Sequence, residues 1–320
     1  KDMLPQDSSA WQWIEQTMRQ EAALARYLEI RTPVFEHTEL FERGVGDTTD
    51  IVQKEMYTFL DKGGRSITLK PEGTAGTVRA FVQGKLYAGP LPVKLYYLNS
   101  PIFRYENPQS GRLREHHQFG MECFGSREPT ADAELITTIL HILGRLRLRD
   151  LGVNINSIGC PACRPGYHQA LKAFLRARLD QLCPVCKERF EKNPLRVLDC
   201  KEARCVSATQ EAPEMPDYLC QECEEHFATL KALLTAQSTP YQVNPRIVRG
   251  LDYYTKTVFE ITMRTSRGDL ALCGGGRYDG LVEEIGGPVT PGVGFGIGTE
   301  RILMELASQG IGTPSPSTTD

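Results

Sequence analysis

At 320 residues the chain is long enough for one large domain or two. Charged residues make up 24% and hydrophobic residues 40%, and the net charge of −3 supplies no bulk basic field for nucleic acid, leaving only a local patch for that role. No apolar run reaches the length that spans a bilayer and no signal peptide is read at the start, so no membrane-spanning helix is expected.

In chain order, Ser8 and Ser9 offer a helix cap, and Trp11, Ile14, Met18, Ala25 and Leu28 recur at helical spacing, which predicts an amphipathic helix to about Glu29. Thr32-Pro33-Val34-Phe35 breaks it into an extended segment. Glu55 to Leu60 and Ser66 to Leu69 read as strands of a hairpin closed by Asp61-Lys62-Gly63-Gly64. Lys70-Pro71-Glu72-Gly73-Thr74 then leads into a helix that starts at Thr74 and runs to about Leu86. Thr74 suits an N-cap. Glu72 has no such structural role on sequence grounds and suits an ammonium group.

Val93 to Leu98 and Pro101 to Glu106 are expected strands, followed by a polar loop from Asn107 to Glu115 and a return strand from His116 to Phe124. Alternation places Phe119, Met121 and Cys123 on one face of that strand and Gln118, Gly120 and Glu122 on the other. Gly120, between two polar residues, is expected to leave room for a ligand above the sheet. A helix from Pro129 to Arg149 and a strand from Val153 to Ile158 come next. From Gly159 to about Thr235 strand signals vanish, charge rises and eight of the ten cysteines appear, which reads as an inserted helical unit.

Strand texture returns at Gln242-Val243, at Val258 to Met263 and at Leu270 to Cys273, with a turn at Ser266-Arg267-Gly268-Asp269. Before the second of these stands Arg249-Gly250-Leu251-Asp252-Tyr253-Tyr254. It reads either as an anion- and ring-binding segment or as an Arg249–Asp252 surface pair beside an aromatic core; on a strand, only one of the two tyrosines would face a ligand. Gly274-Gly275-Gly276-Arg277-Tyr278-Asp279-Gly280 and the alternating Gly292 to Gly298 let backbone approach a ligand closely, and Thr299-Glu300-Arg301 opens a terminal helix. The Pro/Ser-rich residues from Gly312 read as a linker or tail.

The strand density argues for an α+β fold, an antiparallel sheet flanked by helices. The spacings GxxxxGK[ST], HExxH and GxSxG do not occur, and the glycines near Gly294 lack the dinucleotide fingerprint. Three separated arginines, Arg104, Arg249 and Arg301, suit a polyphosphate; Glu72, Gln118 and Glu122 suit a small zwitterion.

Taken in order, these segments resemble the histidyl-tRNA synthetases, class II aminoacyl-tRNA synthetases. Arg249 to Tyr254 and Gly275 to Leu281 resemble the two histidine motifs, Phe103-Arg104-Tyr105-Glu106 with its loop is similar to motif 2, Gly294 to Arg301 to motif 3, and Pro33 falls at the motif 1 proline of a dimer interface. The resemblance implies a homodimeric cytoplasmic ligase that joins L-histidine to ATP, with Mg²⁺, and passes the histidyl group to tRNA(His). It implies Arg249 and Arg104 as catalytic cations and Arg104, Glu106, Arg112 and Arg301 on ATP. Glu72, Gly73, Thr74 and Gln118, with Arg104 and Arg249, would hold the ends of the amino acid. Glu122, Tyr253, Tyr254 and Tyr278 would surround the imidazole, and Gln109, Arg112 and Arg114 would meet the tRNA acceptor end. The implied organisation is a catalytic domain in two parts, 1–158 and 236–310, an inserted helical Cys-rich domain at 159–235 and a tail at 311–320. The family carries a further anticodon-binding domain, so this chain is expected to be a catalytic portion with adenylation intact and charging weakened. The alternative is a non-catalytic histidine-binding regulatory paralogue in the ATP phosphoribosyltransferase complex.

Cysteines form the pairs Cys160/Cys163, Cys183/Cys186 and Cys220/Cys223, with Cys200/Cys205 more widely spaced. Clustered CxxC pairs point to reduced thiols or metal rather than disulfides. If zinc is bound, Cys183, Cys186, Cys220 and Cys223 are the expected ligands; the alternative is no metal, since the fold does not require one.

Overall fold

The computed structural model describes residues 2–46, 49–105, 113–265 and 268–314. Glu106, Gln109 and Arg112, the turn residues Ser266 and Arg267, and tail residues 315–320 lie outside the described residues.

The first helix, α1 (Pro5–Leu24), buries Ile14, Met18 and Ala22 on one stripe. It stops before the expected end because Arg26 turns left-handed (φ 60°) and Leu28–Glu29 becomes β1, pairing with a later strand. Strand pairing takes Ala25 and Leu28 out of the helical stripe they extend in sequence. Then come β2 (Phe35–His37), α2 (Thr38–Val45), β3 (Thr58–Leu60) and β4 (Ser66–Leu69), the last two forming the expected hairpin. Asp61 Oδ1 accepts the Gly63 and Arg65 amides to close its turn. α3 (Thr74–Gln83) follows. The two strands expected across 93–106 are one long β5 (Val93–Phe103), whose register shifts between Tyr97 and Ser100 where Asn99 has φ 50°.

The chain continues through β6 (Glu115–Phe124), α4 (Pro129–Arg145) and β7 (Leu151–Ser157), then the short helices α5 (Arg164–Arg176), α6 (Pro184–Lys192) and α7 (Ala203–Ala208), and α8 (Gln221–Ala236). It closes with β8 (Gln242–Val243), β9 (Thr255–Thr265), β10 (Gly268–Arg277), α9 (Leu281–Glu284), β11 (Gly292–Gly298) and α10 (Thr299–Ser308).

Among the described residues the main sheet has eight strands in the order β1-β5-β6-β11-β10-β9-β7-β8, antiparallel except for the parallel pairs β1–β5 and β7–β8 at its two edges. β2, β4 and β3 form a separate small sheet. Phe119, Met121 and Cys123, with Ile261, Phe295 and Ile297, face a core shared with α1, α4, α8 and α10. The opposite face carries Phe124, Val258 and Tyr278 against Val78 and Phe81 of α3 and Leu281 of α9. Each large apolar side chain so buried contributes about 1.5–3 kcal/mol. A third core, containing Cys163, Tyr167, Leu171, Cys186, Phe190, Cys205 and Cys223, lies in the helical stretch between β7 and β8. α8 serves both sides: Cys223 belongs to that core, while Phe227, Leu230 and Leu234 pack in the main one.

One buried ion pair ties the sheet to its helical layer. Arg277, at the end of β10, donates from Nε and Nη2 to Asp132 Oδ2 of α4 (2.9 and 2.6 Å) and from Nη1 and Nη2 to the carbonyls of Ser126 and Glu128 (2.8 Å each). Both side chains are 0% exposed. The guanidinium fork is met by acceptors on two sides, the condition under which a buried cation is tolerated.

Candidate active site

The sheet strands open onto a cavity of about 610 Å³. Arg104, Arg249 and Arg301 all line it, with Gln118 of β6, Glu260 of β9 and glycines of β10 and β11. The three arginines come from a strand end, a loop and a helix start, and only the fold brings them together. Arg104 is fixed by Nε donating to the Pro71 carbonyl (2.8 Å) and lies 3.9 Å from the Glu55 carboxylate. Arg249 donates from Nη1 to Glu260 Oε1 (2.7 Å), with its guanidinium 5.8 Å from the Tyr254 ring centre. Its Nε is buried and has no hydrogen-bond partner among the described residues. Arg301 donates from Nη1 to the Ala271 carbonyl. The pairing of Arg249 with Asp252 is thereby overturned, since Glu260 takes the arginine and Asp252 Oδ1 accepts from Asn193 (3.0 Å).

A second, fully buried group adjoins the first. Thr74 donates its hydroxyl to Glu122 Oε1 (2.8 Å), and the Tyr278 hydroxyl donates to Glu122 Oε2. Burial pushes the Glu122 carboxyl up to about 8, against the opposing bonds from Tyr278 and Thr74. Glu72 accepts the amides of Thr74 and Ala75 (2.7 Å each) and the Tyr253 hydroxyl (3.4 Å). Burial raises its carboxyl too, and the two amides oppose that shift. Glu72 satisfies the first-turn amides of α3, and the Thr74 hydroxyl, suited in sequence to an N-cap, is directed to Glu122 instead. Gly73 is the N-cap residue.

Tyr253 and Tyr254 correct a further expectation. They precede β9 rather than belong to it, so strand alternation does not separate them. Their rings pack together at 4.6 Å, both buried, and Tyr253 meets Tyr278 edge-on at 5.7 Å. Burial pushes the Tyr254 phenol up to about 12, with Arg249 opposing.

The glycines have a definite use. A Cβ at Gly274 would run into Arg249, one at Gly294 into Glu122, one at Gly296 into Gln118 and one at Gly292 into Tyr278. They form a floor on which the site's own side chains lie flat. Above Gly120 the space expected for a ligand is filled by the Tyr97 ring, whose hydroxyl donates to Gln118 Oε1 (3.2 Å). Tyr97 carries no sequence signal, because it faces the site only through the β5–β6 register, where Tyr97 opposes Gly120.

Asp50, Arg189 and Arg196 also line the cavity and were not legible as site residues. Asp50 Oδ2 accepts from both arginines (2.8 and 2.9 Å). Arg114 is exposed, its guanidinium 4.8 Å over the Tyr105 ring. His116 lines the cavity as well, and burial, with Arg104 nearby, pushes its imidazole down to about 4.

The family model described as histidyl-tRNA synthetase matches residues 1–302. The chain belongs to the histidyl-tRNA synthetase family. The histidine–tRNA ligase of Caldanaerobacter subterraneus subsp. tengcongensis is 57% identical over 320 residues, covering 100% of this chain and 76% of that protein. That of Clostridium novyi is 55% identical with the same coverage. Among solved structures, the apo histidyl-tRNA synthetase of S. aureus superposes with a TM-score of 0.79 at 39% identity, over 98% of this chain and 73% of that one. A Bacillus halodurans protein titled an ATP phosphoribosyltransferase regulatory subunit/histidyl-tRNA synthetase has a TM-score of 0.69 at 23% identity, over 96% of this chain and 81% of its own, and shares the fold. Membership makes the chain an aminoacyl-tRNA synthetase of class II, with ATP as the implied co-substrate. Among the described residues, no helix of this synthetase is long and apolar enough to cross a membrane.

Proposed function

We propose that this synthetase activates L-histidine with ATP and passes the histidyl group to the 3′ end of tRNA(His). The observation that carries the reading is the convergence of Arg104, Arg249 and Arg301 on one cavity beside the buried Glu122–Thr74–Tyr278 network. In the first step a carboxylate oxygen of histidine attacks the α-phosphorus. The bond to the bridging oxygen of pyrophosphate breaks as the acyl–phosphate bond forms, and pyrophosphate leaves. Arg249 would bridge the attacking carboxylate and the α-phosphate, Arg104 would hold the α-phosphate and Arg301 the far end of the nucleotide. Such fixed cations act by positioning and by stabilising charge as it develops. In the second step a ribose hydroxyl of the tRNA attacks the carbonyl and AMP leaves.

Glu122, Tyr254 and Tyr278 would read the imidazole, accepting one ring N–H and donating to the other nitrogen. Glu72, Gly73, Thr74 and Gln118 would frame the ammonium and carboxylate. Each carboxylate lining the cavity has a cation or an N–H group beside it: Asp50 has Arg189 and Arg196, Glu260 has Arg249, Glu300 has the His117 amide and ring, Glu55 has Arg104 at 3.9 Å and Asp199 has Lys201 at 3.1 Å. Mg²⁺ would accordingly arrive on the ATP phosphates, and no step is assigned to a protein-held ion.

The division into a catalytic part (1–158 and 236–310) and a helical insertion (159–235) belongs to the same proposal, supported by the separate core of the helical stretch. So does a homodimer. Leu28, Phe35 and Leu60 are 71%, 55% and 71% exposed on β1 and the small sheet, the region that follows α1 and flanks Pro33.

The test is histidine-dependent ATP–pyrophosphate exchange, with Arg249→Ala alongside. Exchange in the wild type that vanishes in the variant supports the reading. A folded protein that binds histidine but never exchanges would move it to the regulatory class.

A further inference from the structure

Eight of the ten cysteines play no part in the chemistry above, and the fold sorts them into two foursomes. Cys160, Cys163, Cys220 and Cys223 form one; Cys183, Cys186, Cys200 and Cys205 form the other. Within each, the four sulfurs lie within 4.8 Å of one another. We propose that each foursome holds one structural zinc ion as a tetrathiolate.

The spacing of the sulfurs carries the argument. Zinc–thiolate bonds of about 2.3 Å in a regular tetrahedron set the sulfurs about 3.8 Å apart. Cys160 Sγ stands 3.6 Å from Cys163 Sγ and 3.8 Å from Cys220 Sγ, and Cys183 Sγ stands 3.9 Å from Cys200 Sγ. All eight cysteines are free thiols, and these separations are far beyond a disulfide bond of about 2.0 Å. A four-iron cluster, being larger than a single ion, would hold its cysteines further apart.

The backbone is arranged for the same purpose. Cys163 and Cys220 are the N-cap residues of α5 and α8, and Cys183 is the N-cap residue of α6. The Cys220 amide donates to Cys163 Sγ (3.1 Å), the Cys183 amide to Cys205 Sγ (3.1 Å) and the Cys186 amide to Cys183 Sγ (3.4 Å). Amide donors aimed at sulfur favour the thiolate that zinc requires.

The set expected from sequence, Cys183, Cys186, Cys220 and Cys223, is overturned, because its two pairs belong to different foursomes. The chain leaves the main sheet at Cys160 and returns through α8, which brings the first and last pairs together. The 200–205 segment folds back onto α6 and completes the other set.

Each foursome braces a different part of the active site. Next to the first, Arg164 donates to the Tyr254 carbonyl and Lys256 to Glu222 (2.7 Å), so the entry and exit of the helical stretch are pinned beside the Tyr253–Tyr254 segment. The second spans the segment that carries Arg189, Asn193 and Arg196. These bond Asp50, Asp252 and the Gly250 carbonyl, and Arg189 and Arg196 line the cavity with Asp50 and Gly250.

Elemental analysis of the chain purified without chelator tests the assignment. Two zinc ions per chain are expected, falling to one in Cys183→Ser/Cys186→Ser and to one in Cys160→Ser/Cys163→Ser. Should a variant fail to fold, cobalt(II) reconstitution of the wild type gives a second reading: thiolate-to-cobalt charge-transfer bands with tetrahedral d–d absorption at two equivalents. Metal-free folded protein with eight reactive thiols, disulfides within the foursomes by mass spectrometry, or an iron–sulfur chromophore would each overturn the proposal. One ion per chain would overturn the two-site assignment, and the variants would then show which foursome stands.

Discussion

Glu122 on β6 stands directly opposite Gly294 on β11, and its carboxylate occupies the space that a side chain at 294 would need. The smallest addition there meets the Glu122 carboxylate first and also stands 2.7 Å from the Met121 carbonyl, so it presses on the site and on the β6–β11 pairing beneath it. Gly294→Ala is expected to displace Glu122 from Thr74 and Tyr278 and to weaken histidine binding by about tenfold or more, the loss of one or two good hydrogen bonds. The KM for histidine in pyrophosphate exchange, measured beside the KM for ATP, checks this; equal rises in both would point to a general disturbance instead.

Glu122 also sets a pH signature. Its folded carboxyl is pushed up to about 8 from an ordinary 4.5, so the native state keeps a proton that the unfolded chain releases. Stability is therefore lost progressively as pH rises from about 4.5 to about 8. Glu122→Gln, which cannot ionise, should remove that term: melting temperatures of variant and wild type should move in the variant's favour between pH 5 and pH 8. The same variant should raise the KM for histidine roughly tenfold, as expected when an amide replaces the carboxyl in its hydrogen bonds.

Arg249 and Glu260 form a pair whose two members should separate in kinetics and stability. Arg249→Ala removes a cation from the reacting centre and is expected to lower kcat/KM for exchange by about a thousandfold. Adding Glu260→Gln should restore part of any stability lost through the stranded carboxylate but none of the activity. Urea midpoints and exchange rates on the two single variants and the double variant make the comparison.

Arg277 lies in the glycine-rich second histidine motif, yet its side chain binds α4 and not the cavity. Arg277→Met is predicted to destabilise by about 3–5 kcal/mol, since Asp132 is left buried with only the His226 ring, 3.7 Å away, beside it. Asp132→Asn/Arg277→Met should recover much of this. A chemical denaturation series reads the energies, and exchange by the folded fraction should stay near wild type.

Removing Asp50 tests the cavity wall. Asp50→Asn weakens the shared contact with Arg189 and Arg196 and should raise the KM for ATP severalfold with little change in melting temperature, the side chain being partly exposed. Substrate titrations at fixed histidine measure the effect.

The strands and the main helices are legible in the sequence because their signals are local. Period-2 alternation along β6 puts Phe119, Met121 and Cys123 toward the core and Gln118 and Glu122 toward the site; helical spacing marks α1 and α4; the separated arginines and carboxylates announce a charged zwitterionic ligand. What the sequence leaves open is pairing at a distance. That Arg249 bonds Glu260 rather than Asp252, that Glu72 takes the first-turn amides of α3 while Thr74 reaches Glu122, that Tyr97 fills the space over Gly120, and that the cysteines combine first pair with last all depend on register and chain path. A residue's type and spacing limit which bonds it can make. Which partner it meets is decided by packing, because a buried polar group must take the acceptor or donor that the neighbouring strand or helix places within about 3 Å.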